Sequence, residues 1–146
     1  MINEKILFEY LNEQTAIIKK DFNITQTIIL KRDNRIRGAG QCDNKMEEII
    51  TIRINSKLHS EELFSYYTTL AHEIGHILDG TDGFCEEGEY QAEKFCFECI
   101  KKYYPEEYNR YVLRFERWIP ELEKKWPIHY QAFTRLYNNL FWQFAV

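Results

Sequence analysis

The sequence is poor in the features that would send it to a membrane, to nucleic acid or out of the cell. No apolar run approaches the ~18 residues that span a bilayer, so a membrane-embedded protein is not expected. Positive charge is in deficit: 19 Lys and Arg stand against 23 Asp and Glu, a net charge of -4. Phosphate recognition leaves a clustered basic footprint, so direct nucleic-acid binding is not expected either. The opening MINEKILFEYLNEQ mixes acidic with apolar residues and lacks the basic start and continuous apolar core of a signal peptide. The expectation is a cytoplasmic protein. There is no internal repeat, low-complexity tract or linker, and the only methionines are Met1 and Met46.

Cysteine is sparse too. Without a secretory signal, free thiols are a better reading of Cys42, Cys85, Cys96 and Cys99 than two disulfides. Cys96-Phe97-Glu98-Cys99 has C-x-x-C spacing, but no second such pair accompanies it and the strand context of a thioredoxin-like site is missing. Both thiols share a stripe with apolar residues, and they read as buried helix cysteines.

What is present suits one domain over residues 1–146, with 45% hydrophobic and 29% charged residues. Ile6, Leu7, Tyr10, Leu11, Ile17 and Ile18 recur at helical spacing in the first twenty residues. TQTIILKR at 25–32 and EIITIRIN at 48–55 are short and β-branched, the second with Ile50, Ile52 and Ile54 alternating with polar residues. RIRGAGQC at 35–42 is a third strand or a glycine-bent connection. A helix follows, opened by Ser60-Glu61-Glu62 and stopped at Asp79-Gly80. Another runs from about Gly88 to Tyr104, and Pro105-Glu106-Glu107 opens a third. Pro120 and Pro127 punctuate the rest, where Tyr130, Phe133, Tyr137, Leu140, Phe141 and Phe144 form an aromatic stripe read as core packing. The fold class is α+β: an N-terminal helix and a small antiparallel sheet, then a helical C-terminal half.

Residues 69–80 read TLAHEIGHILDG, with the pattern H-E-x-x-H at His72, Glu73 and His76. On this helix Leu63, Tyr67, Leu70, Ile74 and Ile77 form the apolar stripe, and both histidines point nearly opposite to it. Gly75 costs the helix about 1 kcal/mol relative to alanine, which suggests that something approaches closely there. Histidines four residues apart lie one turn apart on one face, so two imidazole nitrogens can reach one Zn²⁺. Glu73 then stands beside the open side, placed to accept a proton from water. A catalytic zinc needs a third ligand. Glu89 is favoured, because it and Glu93 border an apolar stripe where a buried carboxylate requires a partner. Glu86, Glu93, Asp79 and Asp82 remain alternatives, although Asp82 belongs to a metzincin pattern whose Met-turn this chain cannot supply.

HEIGH followed by EYQAEKF resembles the glutamate zincins, and the short form looks most like the ImmA/IrrE-type zinc metallopeptidases. That resemblance implies a zincin-like fold with His72, His76 and Glu89 as ligands and Glu73 as general base. Glu93 takes the place of the acid that orients a ligand, and Ala92 and Phe95 those of a small and an aromatic packing residue. It implies a zinc-dependent endopeptidase acting on a protein or peptide substrate, with a helix-turn-helix repressor as a candidate. The alternative is a metal-containing binding or inhibitory module of a phage or mobile element that keeps the site without cleaving. An extended substrate is expected to pair with an exposed strand edge, EIITIRIN being the choice. His59, Tyr66, His129 and Tyr130 are all possible oxyanion donors.

Overall fold

The computed structural model describes the backbone of residues 2–59, 62–79 and 84–142 and side chains as far as Leu140. The expected cap at Ser60-Glu61, the stop at Gly80, the alternative ligand Asp82, and the side chains of Phe141 and Phe144 lie outside these residues. The chain is mixed α+β and mostly helical, with a three-stranded sheet.

Helix α1 spans Glu4–Asp21, and its first amides are satisfied by the Asn3 side chain, which accepts from the N–H groups of Lys5 and Ile6. It buries Leu7, Leu11 and Ile18, whereas Ile6 and Ile17 stand at the surface. Three strands follow, β1 (Thr27–Arg32), β2 (Gly40–Asp43) and β3 (Ile49–Ile54). Ile50, Ile52 and Ile54 are completely buried, as their alternation predicts.

The sheet is not antiparallel, which corrects the sequence expectation. Its order is β1-β3-β2, with β3 parallel to β1 (Thr27 opposite Ile49) and antiparallel to β2 (Asp43 opposite Thr51). The reason lies in residues 33–39, which arch over the end of β3 instead of turning β1 into a hairpin. The Asp33 N–H donates to the Ile54 carbonyl and the Asn55 N–H to the Ala39 carbonyl, both at 2.9 Å. The Asn55 amide also donates to the Ile36 carbonyl at 3.1 Å. The arch sets β2 down on the far side of β3, and a hairpin with Asn44 in the left-handed region (φ 61°) returns the chain. EIITIRIN is therefore the central strand, and the edges are β1 and β2.

Helix α2 (Leu63–Asp79) carries Tyr67, Leu70 and Ile74 into the core, and α3 (Glu86–Tyr103) packs along it. A 3₁₀ turn at Pro105–Glu107 leads into α4 (Tyr108–Lys125), and Pro127 opens α5 (Pro127–Trp142). Pro120 lies inside α4 and does not end it. Phe133 of α5 is buried, and Tyr130, Tyr137 and Leu140 pack partly buried against the core, so the described part of the aromatic stripe is core. Phe133 lies 5.3 Å from Phe115 of α4, ring centre to ring centre. Among the described residues no helix is long and apolar enough to cross a membrane.

Candidate metal centre

His72, Glu73 and His76 lie on the face of α2 away from Leu70 and Ile74, as the helical period requires. That face is covered rather than solvated: each histidine side chain is 14% exposed. One ligand atom from each of the three residues lies within 4.8 Å of the others, a group that could hold a metal ion.

The approach of α3 depends on Gly75. A Cβ there would lie 2.8 Å from both Cα and the carbonyl oxygen of Ala92 and 3.1 Å from Cβ of Phe95. The backbones of α2 and α3 touch where the sequence has a glycine facing an alanine, and the close approach inferred from Gly75 is that of α3. It brings Glu89, one turn before Ala92, onto both histidines. Glu89 Oε2 is 3.0 Å from His72 Nε2, and Oε1 is 3.2 Å from His76 Nε2. Glu93, one turn further on, reaches the other nitrogen of His72: its Oε2 is 3.3 Å from Nδ1. The hydroxyl of Tyr111 on α4 donates to Glu93 Oε1 at 2.8 Å.

Three carboxylates, Glu73, Glu89 and Glu93, are thus buried together, at 7%, 3% and 2% exposure. Burial pushes the Glu73 carboxyl above its usual range, although His72 and His76 oppose this. For Glu89 burial acts the same way, but hydrogen bonds from His129, His72 and His76 prevail and hold it far below the usual range. Burial alone would lower His72, yet its bonds to Glu89 and Glu93 carry it well above an ordinary histidine. A buried site this rich in negative charge calls for a cation, and protons on the imidazoles are one way to supply it.

A metal ion is another, and the spacing of Glu89 from each imidazole is compatible with one. Bonds of 2.0–2.2 Å to nitrogen and oxygen in a tetrahedron put neighbouring ligand atoms about 3.3 Å apart. The 3.0 and 3.2 Å separations between Glu89 and the two imidazoles lie close to that edge. Of the alternative ligands, Glu86 faces Arg135 at 3.7 Å, Glu93 sits behind His72, and Asp79 closes the C-terminal end of α2.

A further imidazole arrives from α5. His129 Nε2 is 3.1 Å from Glu89 Oε2. Among the oxyanion-donor candidates, His129 is brought to this cluster by its bond to Glu89. Both nitrogens of His59 are engaged, with the Asn55 carbonyl at 2.8 Å and Thr69 Oγ1 at 2.7 Å, and its ring stacks on Tyr66. The Tyr66 hydroxyl donates to the Ser56 carbonyl, and Tyr130 packs against the core. Sequence reasoning did not find Tyr111. Its only signal was a hydroxyl on an otherwise apolar helix face.

The edge strand β2 runs beside Glu73. A Cβ on Gly40 would lie 2.6 Å from Thr69 Cγ2 and 3.2 Å from Glu73 Oε2. Nearby, Arg37 from the arch stacks on Trp126 at 4.4 Å, and Trp126 borders His129 at 5.4 Å. None of the cysteines belongs to the group that could hold a metal ion, although Cys96 lies 3.9 Å from the Tyr111 hydroxyl behind Glu93. All four are free, and Cys96 and Cys99 are buried in α3; burial pushes the Cys99 thiol up to about 12. Comparison with protein families, with characterised proteins and with solved structures finds no match for this chain.

Proposed function

We propose that the chain is a zinc-dependent metallo-endopeptidase with a zincin-like fold, acting in the cytoplasm on a protein substrate. The observation that carries this reading is the convergence of His72 and His76 from α2 with Glu89 from α3, at 3.0 and 3.2 Å, beside Glu73. Two imidazoles and a carboxylate suit zinc better than calcium or magnesium. Zinc held there would lower the pKa of a water to about 7 and polarise a carbonyl oxygen.

The chain's own groups supply the rest. Glu73 is the general base: a buried carboxylate beside the two histidines, placed to take a proton from water and to pass it to the leaving amine. Glu93 accepts from His72 Nδ1 and so fixes the ring with Nε2 toward the ion, while Tyr111 holds Glu93. An extended peptide would pair with the outer edge of β2, where no strand lies among the described residues. Gly40 keeps the backbone of that edge close to Glu73. A helix-turn-helix repressor remains the candidate substrate, on the resemblance to the ImmA/IrrE-type enzymes.

One observation favours a second reading, a metal-containing binding module that does not cleave. His129 brings a fourth protein group to the cluster, and structural zinc sites are the ones that close their fourth position. Metal analysis tests both readings, and fragment analysis in host cells separates them. Protein purified without added zinc should carry about one zinc per chain, and a metal-free, folded protein would sink both. Comparing protein fragments in host cells expressing wild type or Glu73→Gln should show cleavage products only with wild type, the variant keeping its zinc. Identical fragment patterns favour the binding module.

A further inference from the structure

We infer that His129 is a positioning residue of the metal centre, which holds the Glu89 carboxylate toward the ion from the first turn of α5. The inference rests on the zinc reading above. His129 Nε2 lies 3.1 Å from Glu89 Oε2. A carboxylate only accepts, so Nε2 carries a ring proton and is the donor. Nδ1 is buried and has no hydrogen-bond partner. The ring sits among Phe84, Trp126 and Phe133, at centroid distances of 5.2, 5.4 and 5.6 Å. A plain aromatic ring would fill that nest without leaving a nitrogen orphaned. What the imidazole adds is a single N–H, and it is aimed at Glu89.

Glu89 needs that donor once a metal is present. The nitrogens of His72 and His76 nearest to it must then turn lone pairs to the ion, so neither can donate to the carboxylate. His72 Nδ1 is already given to Glu93. His129 is then the side-chain donor left to Glu89 in the described cluster. Carboxylate ligands are themselves hydrogen-bonded in metal sites, and losing such a support typically weakens metal binding about 10- to 100-fold. The centre therefore draws on four helices, with α2 and α3 supplying ligands, Tyr111 of α4 holding Glu93 behind His72, and His129 of α5 supporting Glu89.

The test is zinc affinity of the full chain, measured by competition with a chromophoric chelator for wild type, His129→Phe and His129→Gln. Phenylalanine keeps the ring in its aromatic nest and removes the N–H; the glutamine amide restores a donor near the position of Nε2. The expected result is binding about 10- to 100-fold weaker for His129→Phe and within a few-fold of wild type for His129→Gln. His129→Leu carries the same expectation as phenylalanine and replaces it if circular dichroism shows α5 disturbed by the larger ring. Unchanged affinity without the N–H overturns the inference. A glutamine variant as weak as phenylalanine also overturns it, because the lone pair and not the proton would then matter, as for a direct ligand. A wild-type chain that holds no zinc refutes the zinc reading instead.

Discussion

Replacing Gly75 by alanine tests how closely two helices must meet for the centre to form. By helix propensity alone the change should stabilise α2 by about 1 kcal/mol. Against this, the new Cβ would lie 2.8 Å from two backbone atoms of Ala92, where ordinary contacts begin at 3.4 Å. Backbone cannot rotate aside, so α3 must retreat by roughly 0.6 Å, the difference between those distances. Overpacking of this kind costs about 1–3 kcal/mol, and contact with backbone places it toward the upper end. The net expectation is a loss of about 1–2 kcal/mol, or about 3–6 °C in the melting temperature of the metal-free protein. Zinc affinity should fall as well, because Glu89 rides on the same helix and metal sites tolerate about 0.2 Å in ligand distance. Thermal denaturation with chelator present, followed by zinc competition, measures the two effects separately. A Gly75→Ala protein at least as stable as wild type, with unchanged zinc affinity, would refute the close-packing argument.

Glu89→Ala should abolish tight zinc binding, whereas Glu93→Ala, which removes only the support of His72, should weaken it about 10- to 100-fold; if Glu93→Ala proves the more damaging in a chelator titration, Glu93 is the ligand. Replacing Cys96 and Cys99 together by alanine should cost stability on the order of 1–3 kcal/mol through lost packing and leave zinc stoichiometry unchanged, which urea denaturation and metal analysis can check. Gly40→Ala should push Thr69 and Glu73 aside and lower turnover on a cleavable substrate while zinc content stays the same. Loss of zinc in that variant would place β2 in contact with the ligands themselves.

The helix carrying H-E-x-x-H was legible because its signal is local. His72, Glu73 and His76 are fixed by one helical period, and Gly75 announced a close neighbour that proved to be Ala92 of α3. Glu89 and Glu93 could be placed on one face of α3 for the same reason, and the structure separates them by which nitrogen of His72 each meets. The alternation of Ile50, Ile52 and Ile54 identified a half-buried strand, but alternation says nothing about its neighbours. Whether β3 is an edge or the centre depends on the arch at 33–39, whose key bonds come from backbone groups and from Asn55, far along the chain. Tyr111 was hidden for a similar reason, and His129, one of four possible oxyanion donors, could not be singled out from the other three. Both reach the site from helices whose packing angles carry no short-range sequence signal.

The central position of β3 also bears on the order in which the chain folds. β2 and β3 meet through a tight hairpin, with Asp43 opposite Thr51, only 8 residues away. β1 meets β3 across 22 residues, from Thr27 to Ile49, with all of β2 in between. Loop closure makes the second pairing costlier by only about 0.9 kcal/mol, yet β1 has no strand to join until β3 is in place. The hairpin is thus the natural nucleus, and β1, tethered to α1, docks onto it later. Destabilising substitutions in the turn at Asn44 should therefore slow folding, while those in β1 should chiefly speed unfolding. The edge strand proposed to receive substrate would then be among the first parts of the sheet to form.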